Sequence, residues 1–542
     1  MQDLSHKLVK ALFCAYVCLA LSFATAKTLA SLEPSTNKKC LLIEQLALVD
    51  LQGQKIPEFD WLLKILTNTD AFPTSRSCLN SDELDTLLKF AQGVLIKEGF
   101  VTTRVLFRHN SLQENAWVLT VIPGRIGGIR FSNPQFATTD LSWAFPMKTG
   151  DLLNVRDIEQ ALENLKRIPT ADADIQIVPS SAIDAELGES DLSITYQNPQ
   201  AFRIALTVDD SGTLAIGKYQ SSATLRMDNP LRLNDMFYLT HNQDLGGGKE
   251  GARGTHGDTL HYSIPIGYSL LSATLNQGSY HQSLASQSKS YVYRGFSENN
   301  DIQLSHVVAR DAHQKFTLAL GAFQRKTKNY IDDTEIQNQK RVEGGWYSKL
   351  NHKIFIQSAT LDSTLTFKRG THAFGALPAP EQSFGEGTSQ FIFLTGDVHL
   401  SWPFQVDGQG LRYNSTWRLQ SNRTALTPPN RLSIGGRNSV RGFDGELVLT
   451  GDSGWLWRND FNFLCDPHNF PISEIYIAID QGEVAGQSTS SLVGTRLAGA
   501  AFGVRGLVAG MHYDIFIGQA LIKPKQFVTA SNTMGFSVTA NF

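Results

Sequence analysis

The stretch GGRNSVRGFDGE, Gly435 to Glu446, places four glycines and two arginines among twelve residues, with Phe443 between them. A glycine-rich loop carrying arginine can cradle a phosphate when a helix follows it, because free backbone N–H groups and the helix dipole then point at the anion. No helical pattern follows these glycines, which argues against a phosphate site. DDSG, Asp209 to Gly212, offers two adjacent carboxylates of the kind general acid–base chemistry uses. An acidic turn is the simpler reading of that tetrapeptide. The thirteen histidines are scattered, and His261, His281 and His306 share no ligand spacing, so no metal site is expected. Nor do the motifs gather a nucleophile, a base and an orienting group, so no enzyme activity and no cofactor are expected. What Arg441 does depends on the elements around it.

Those elements begin with an address. Lys7 and Lys10 precede the apolar run ALFCAYVCLALSFATA, which ends in Ala24-Thr25-Ala26. A run of about sixteen residues is shorter than the roughly 20 a spanning helix needs. It reads as a cleavable signal peptide, residues 1–26, followed by a short linker, 27–37. The 542-residue chain has a formal charge of −3, which gives no general argument for a nucleic-acid partner. Of five cysteines, Cys14 and Cys18 leave with the signal. Export permits a Cys40–Cys78 disulfide and leaves Cys465 single.

Residues 38–124 and 125–200 read as two copies of a small α+β module. SDELDTLLKFAQGVLIKEG has apolar residues at helical spacing, an N-cap at Ser81 and a stop at Gly99. FVTTRVLFR and AWVLTVIPGRI follow as strands, the second broken at Pro123-Gly124. The cycle then repeats: GGIRFSN, the helix NVRDIEQALENLKRI capped by Asn154, then ADIQIVPS and SDLSITYQN.

From residue 201 to 542 helical periodicity gives way to alternation. In SEIYIAIDQG, Ile475, Ile477 and Ile479 share one face, with Tyr476, Ala478 and Asp480 on the other. MGFSVTANF alternates to its last residue, Phe542. In GWLWRNDFNFLC, Trp455, Trp457, Phe461 and Phe463 oppose Arg458, Asp460 and Asn462. A soluble sandwich also alternates. The length of the region and the aromatic residues near segment ends favour a membrane barrel. Dividing about 340 residues by roughly 20 per strand and connection predicts about sixteen strands.

At this point the chain resembles a family, the two-partner secretion transporters called TpsB, which share a plan with the barrel assembly protein BamA. The first module carries the resemblance in Cys40, EGFVTTRVLF and VIPGRIGGI, and the second in LNVRDIEQALENLKRIP. The barrel carries it in VDDSGTLAIGKYQSSATLRMDNPLRLNDMFYLT, HYSIPIGYSLLSATLNQGSYHQ, LSIGGRNSVRGFDGE, TGDSGWLWRNDF and IYIAIDQGEV. The resemblance implies two periplasmic POTRA modules, a 16-stranded outer-membrane barrel and a secreted TpsA-type partner. That partner is an adhesin, haemolysin, contact-dependent toxin or haem-acquisition protein, bound unfolded by the modules and passed through the lumen. A barrel assembly factor is the alternative within the same fold, and a passive porin or receptor lies outside it. The resemblance places the tetrad Val440, Arg441, Gly442 and Phe443 in a long sixth outward loop, around residues 421–450, that folds back into the lumen. Asp480 matches the wall residue that receives Arg441.

The alternation supports this pairing on its own, because a strand whose isoleucines face lipid turns Asp480 inward. Arginine grips a carboxylate bidentately, which lysine cannot reproduce. In a wet lumen such a pair contributes about 1 kcal/mol, more if desolvated, and is expected to hold the loop rather than the barrel. Phe542 resembles the terminal signal read by the barrel assembly machinery, a partner for the chain's own insertion into the bilayer. Family members often carry an N-terminal plug helix, for which KTLASLEPSTNK is too short, so closure by loops alone is expected.

Overall fold

The computed structural model describes residues 41–43, 45–68, 77–79, 81–108, 116–132, 141–198, 200–285, 290–465 and 472–542. The expected signal peptide, linker and Cys40 lie outside these residues, so the Cys40–Cys78 disulfide does too. The described backbone of Cys78 pairs with Leu42 in a short ladder between Leu41–Ile43 and Ser77–Leu79. The chain divides into two compact units after Asn198.

The first unit contains two modules, each with a three-stranded sheet. In the first, Gln45–Val49 runs parallel to Ala116–Ile122, which pairs antiparallel with Arg104–Arg108. In the second, Arg125–Phe131 runs parallel to Glu189–Gln197, flanked antiparallel by Asp172–Pro179. A parallel pair needs a crossover, and helices supply it. The second module uses Val155–Lys166. The first uses two helices, Asp60–Asn68 and Ser81–Lys97. Sequence analysis places only the second of these. The other begins after the short turn Pro57–Phe59, and Phe59, Leu62 and Leu66 form its wholly buried stripe. That spacing was a usable signal.

The modules meet where one helix stops and the next begins. Gly99 ends the first-module helix with φ 98, and Phe100 N donates back to Leu95 O at 2.8 Å. That left-handed cap favours glycine. Asn154 then serves both sides: its Oδ1 accepts from Arg156 N at 2.8 Å, and its Nδ2 donates to Glu98 O at 3.1 Å. A Cβ on Gly99 would lie 2.2 Å from Asn154 Oδ1.

The second unit is a closed barrel of sixteen antiparallel strands among the described residues. It opens with Phe202–Asp209 and ends with Thr533–Asn541, which pair with each other from Asp209–Ser537 to Ala205–Asn541. Closure satisfies every strand edge, the condition for backbone to cross a bilayer. The alternation has its expected consequence. Phe202, Ile204, Leu206 and Val208 are exposed on the outer face, as are Ile477 and Ile479, while Tyr476, Ala478 and Asp480 are buried inside. Phe542 closes the seam through backbone bonds with Ile204 in both directions, 2.8 and 3.0 Å, and its ring is exposed. Trp457 stacks on Trp417 and donates from Nε1 to Ser415 Oγ at 2.9 Å.

Asn154→Ala should cost the two-module half about 1 kcal/mol, the usual loss of an N-cap. Urea unfolding of that half, followed by circular dichroism, measures the shift in midpoint.

Candidate functional site: a loop anchored inside the barrel

The long sixth outward loop joins strand Gln409–Asn422 to strand Ser453–Leu464 and contains a two-stranded ladder, Leu432–Ile434 with Leu449–Gly451. Between those short strands lies the glycine-rich stretch. Val440 and Phe443 are buried with Leu432, Ile434 and Leu449, and Phe443 meets Phe527 edge-on at 5.6 Å. This apolar knot fixes the loop's shape and turns Arg441 outward from it, toward the wall.

Asp480 on strand Ile472–Ala485 receives the arginine. Arg441 Nε donates to Asp480 Oδ2 at 2.6 Å, Nη2 to Oδ1 at 2.7 Å, and the Arg441 backbone N to Oδ2 at 3.0 Å. Asn459 N adds a fourth bond to Oδ1 at 3.2 Å. The fork-on-carboxylate geometry is the strongest form of this contact. Gly442 has φ 96, and a Cβ there would sit 2.3 Å from Gln519 O; a Cβ on Gly499 would sit 2.0 Å from Arg441 O. The loop backbone therefore lies directly on the wall, where only glycine leaves room.

The expectation of a wet pair needs correction. Arg441 is 4% exposed and Asp480 0%, because the apolar knot and the glycine contacts exclude water. Removing one partner of a buried pair costs about 3–5 kcal/mol when nothing else neutralises the charge left behind, well above the surface figure.

The surroundings of the pair were not read from the sequence. Arg441 Nη2 stands 2.5 Å from Asp460 Oδ1 as an ion pair, and Asp460 Oδ2 accepts from Arg505 Nη2 at 3.3 Å. Arg505 continues to Asp514 Oδ2 at 2.9 Å and lies 4.0 Å over the Tyr476 ring, and Tyr476 Oη donates to Asp514 Oδ1 at 2.8 Å. Arg458 Nε stands 3.7 Å from Asp480. Charges of opposite sign thus alternate along the inner wall. Asp460 and Arg458 were already on the polar face of GWLWRNDFNFLC, which was the available signal.

The DDSG tetrapeptide is a rim turn. Asp209 Oδ1 accepts from Ser211 N at 2.7 Å, and Asp210 Oδ1 accepts from Phe536 N at 2.9 Å and from Arg437 Nη1 at 2.6 Å. Arg437, the other arginine of the opening stretch, thus reaches the barrel seam. The histidines serve the strand ladders: His261 Nδ1 bonds Thr274 Oγ1 at 2.8 Å, and His306 Nδ1 bonds Ser269 Oγ at 2.8 Å. Cys465 carries no disulfide.

Paired α+β modules, a 16-stranded barrel and a loop tethered in its lumen define a class: outer-membrane barrels with POTRA domains. The family model for haemolysin secretion/activation protein ShlB/FhaC/HecB matches residues 188–506, and a POTRA-domain model matches residues 125–179. The outer membrane transporter CdiB-2 of Burkholderia pseudomallei (strain 1026b) is 34% identical over 479 residues, covering 86% of this chain and 79% of that one. The hemolysin transporter protein HpmB of Proteus mirabilis is 24% identical over 420 residues, covering 76% and 72%. Among solved structures, CdiB from Acinetobacter baumannii superposes with a TM-score of 0.84 at 26% identity, over 100% of this chain and 99% of that one. The chain belongs to the ShlB/FhaC/HecB haemolysin secretion/activation family, the TpsB transporters of two-partner secretion. It is an outer-membrane transporter whose POTRA modules lie in the periplasm.

Arg441→Ala and Asp480→Ala should each leave a folded barrel, seen as heat-modifiable migration on gels, and lower secretion at least about tenfold, as loss of a buried charge partner implies. Arg441→Lys should restore little, since it keeps the charge and loses the fork. Normal secretion by both alanine variants would remove the pair from the mechanism.

Proposed function

We propose that this transporter binds one unfolded exported protein through its POTRA modules and passes it outward through the barrel, with the sixth loop as the gate. The observation that carries the reading is the buried Arg441–Asp480 pair, which holds a folded loop against the inner wall. A passive pore has no use for so costly an internal anchor.

Binding in the periplasm follows from the sheets. Each module leaves an edge strand, Arg104–Arg108 in the first and Asp172–Pro179 in the second. An extended polypeptide adds to such an edge through main-chain bonds, which give affinity for many sequences. Leu106 and Ile177 stand beside these edges, 48% and 37% exposed, ready to meet apolar side chains of the incoming strand. An unfolded chain offers both groups; a folded one offers neither. The relatives include hemolysin transporters, so a haemolysin is one class of partner that suits this reading. The barrel assembly machinery would insert the chain itself, reading the terminal strand that ends in Phe542.

Leu106→Glu together with Ile177→Glu changes two exposed side chains and should leave stability within about 0.5 kcal/mol, the usual range for surface positions. Binding of an unfolded N-terminal fragment of the exported protein whose release depends on this transporter, titrated onto the full transporter in detergent, should weaken about tenfold or more as two apolar contacts are replaced by charge. Unchanged binding would place recognition elsewhere.

A further inference from the structure

The sixth loop touches the wall at a second place. Its first arm, residues 423–431, contains the short turn Pro428–Asn430. That turn sits on two wall residues, Arg325 and Glu343, which face each other in register across strands Gln314–Ile331 and Arg341–Ile356. Glu343 is 2% exposed. Its Oε1 accepts from Thr427 Oγ1, and its Oε2 accepts from Asn430 Nδ2 at 3.0 Å. Arg325 Nη1 donates to Pro429 O at 3.0 Å. Leu426 is buried with Phe323, Tyr347, Phe391 and Phe393. Gln420 Nε2 donates to Asn430 O and to Asp452 O, both at 3.0 Å. A donor and an acceptor side by side on the wall thus grip one turn of the loop.

We infer that Glu343 and Arg325 form a fixed foot for the sixth loop, about which its Arg441 tip swings when the gate opens. This deepens the gate reading and rests on it. The two attachments lie about a third of the way round the wall from each other, on the seventh and eighth strands and on the twelfth and thirteenth. They also differ in what departure leaves behind. At the tip, Asn459 N still donates to Asp480 at 3.2 Å and Arg505 Nη2 to Asp460 at 3.3 Å, so both carboxylates keep a hydrogen-bond donor when Arg441 leaves. At the foot, both hydrogen bonds to the Glu343 carboxylate come from the loop arm itself. Lifting the arm strips them together, and a buried carboxylate without donors is costly. The tip is therefore the end that exchanges partners, and Glu343 is a positioning residue that acts through the arm.

The test replaces the grip with a covalent one. In a background with Cys40, Cys78 and Cys465 replaced by serine, Glu343→Cys with Thr427→Cys removes the carboxylate and its hydroxyl donor. Folding is checked by heat-modifiable migration, and secretion of the partner into the medium is measured before and after a short bifunctional thiol reagent bridges the two cysteines. The unbridged pair should secrete about tenfold less than the background, because the arm loses its grip on the wall and Asn430 Nδ2 loses the acceptors it had on Glu343 and Thr427. Bridging should restore most of that loss. Restoration is the result a merely structural role would not give. Secretion that stays low or falls further on bridging means that the foot must itself detach, and it overturns the inference. Undiminished secretion before bridging also overturns it. Arg441→Ala, measured beside these, separates the two readings: if it secretes normally the gate reading fails, whereas a defect there with no rescue at the foot defeats only the pivot.

Discussion

Everything distinctive about this barrel depends on a carboxylate and a guanidinium that meet out of water. A lumen wide enough for side chains and loops would ordinarily be wet, and there an ion pair contributes little. Here the loop brings its own apolar knot, Val440 and Phe443 with Leu432, Ile434 and Leu449, and seats it beside the pair. The glycines at 442, 499 and 518 let loop and wall backbones touch, which removes the last space for solvent. The contact therefore has the energetics of an interior. Asp480 accepts four hydrogen bonds and Arg441 also reaches Asp460, so little desolvation is left uncompensated. Such a contact is stable while intact and expensive when half broken. That combination suits a loop that must hold one position until something displaces it.

The barrel makes the arrangement possible through its period of two. Every strand turns alternate residues to lipid, so each strand also turns alternate residues inward at fixed spacing. Polar residues placed on that inner face have no lipid to fear and no way out. Charges of opposite sign consequently line up across neighbouring strands: Asp480 beside Asp460 and Arg458, then Arg505, then Asp514 under Tyr476. The same register sets Arg325 opposite Glu343 on the other side. Inner-wall chemistry is thus a consequence of strand pairing, and the loops read it.

How much of this was legible follows from the range of the forces involved. The alternation of Ile475, Ile477 and Ile479 is a local pattern, so it assigns Asp480 to the inner face without any knowledge of the tertiary fold. Helix ends are equally local, and Gly99 and Asn154 were readable as a stop and a cap. The first-module helix Asp60–Asn68 is local too, through Phe59, Leu62 and Leu66, but its nine residues give a shorter periodic run than the seventeen of Ser81–Lys97. Burial of Arg441 was not local. It arises because residues 499, 518 and 519 of distant strands approach the loop, and no pattern within twelve residues encodes that. The partners Arg505 and Asp460 depend on register between strands, which a single sequence does not display. Nor could the reach of Arg437 to Asp210 be read, since it joins the loop to the seam across more than two hundred residues.

A gate built this way has a consequence for specificity of movement. The wall carboxylates that hold the tip are shared among three arginines, so charge balance survives a change in which arginine occupies them. The apolar knot is different, because Phe443 and Val440 keep their contacts with Leu432, Ile434 and Leu449 only if the tip leaves as a folded piece. Unfolding the loop in place would expose that apolar surface to a water-filled lumen and would leave backbone polar groups to find new partners. Displacement of an intact tip keeps its knot and its short ladder together. The physical chemistry therefore favours rigid-body motion of the loop over its melting, and places the cost of opening in the contacts between loop and wall.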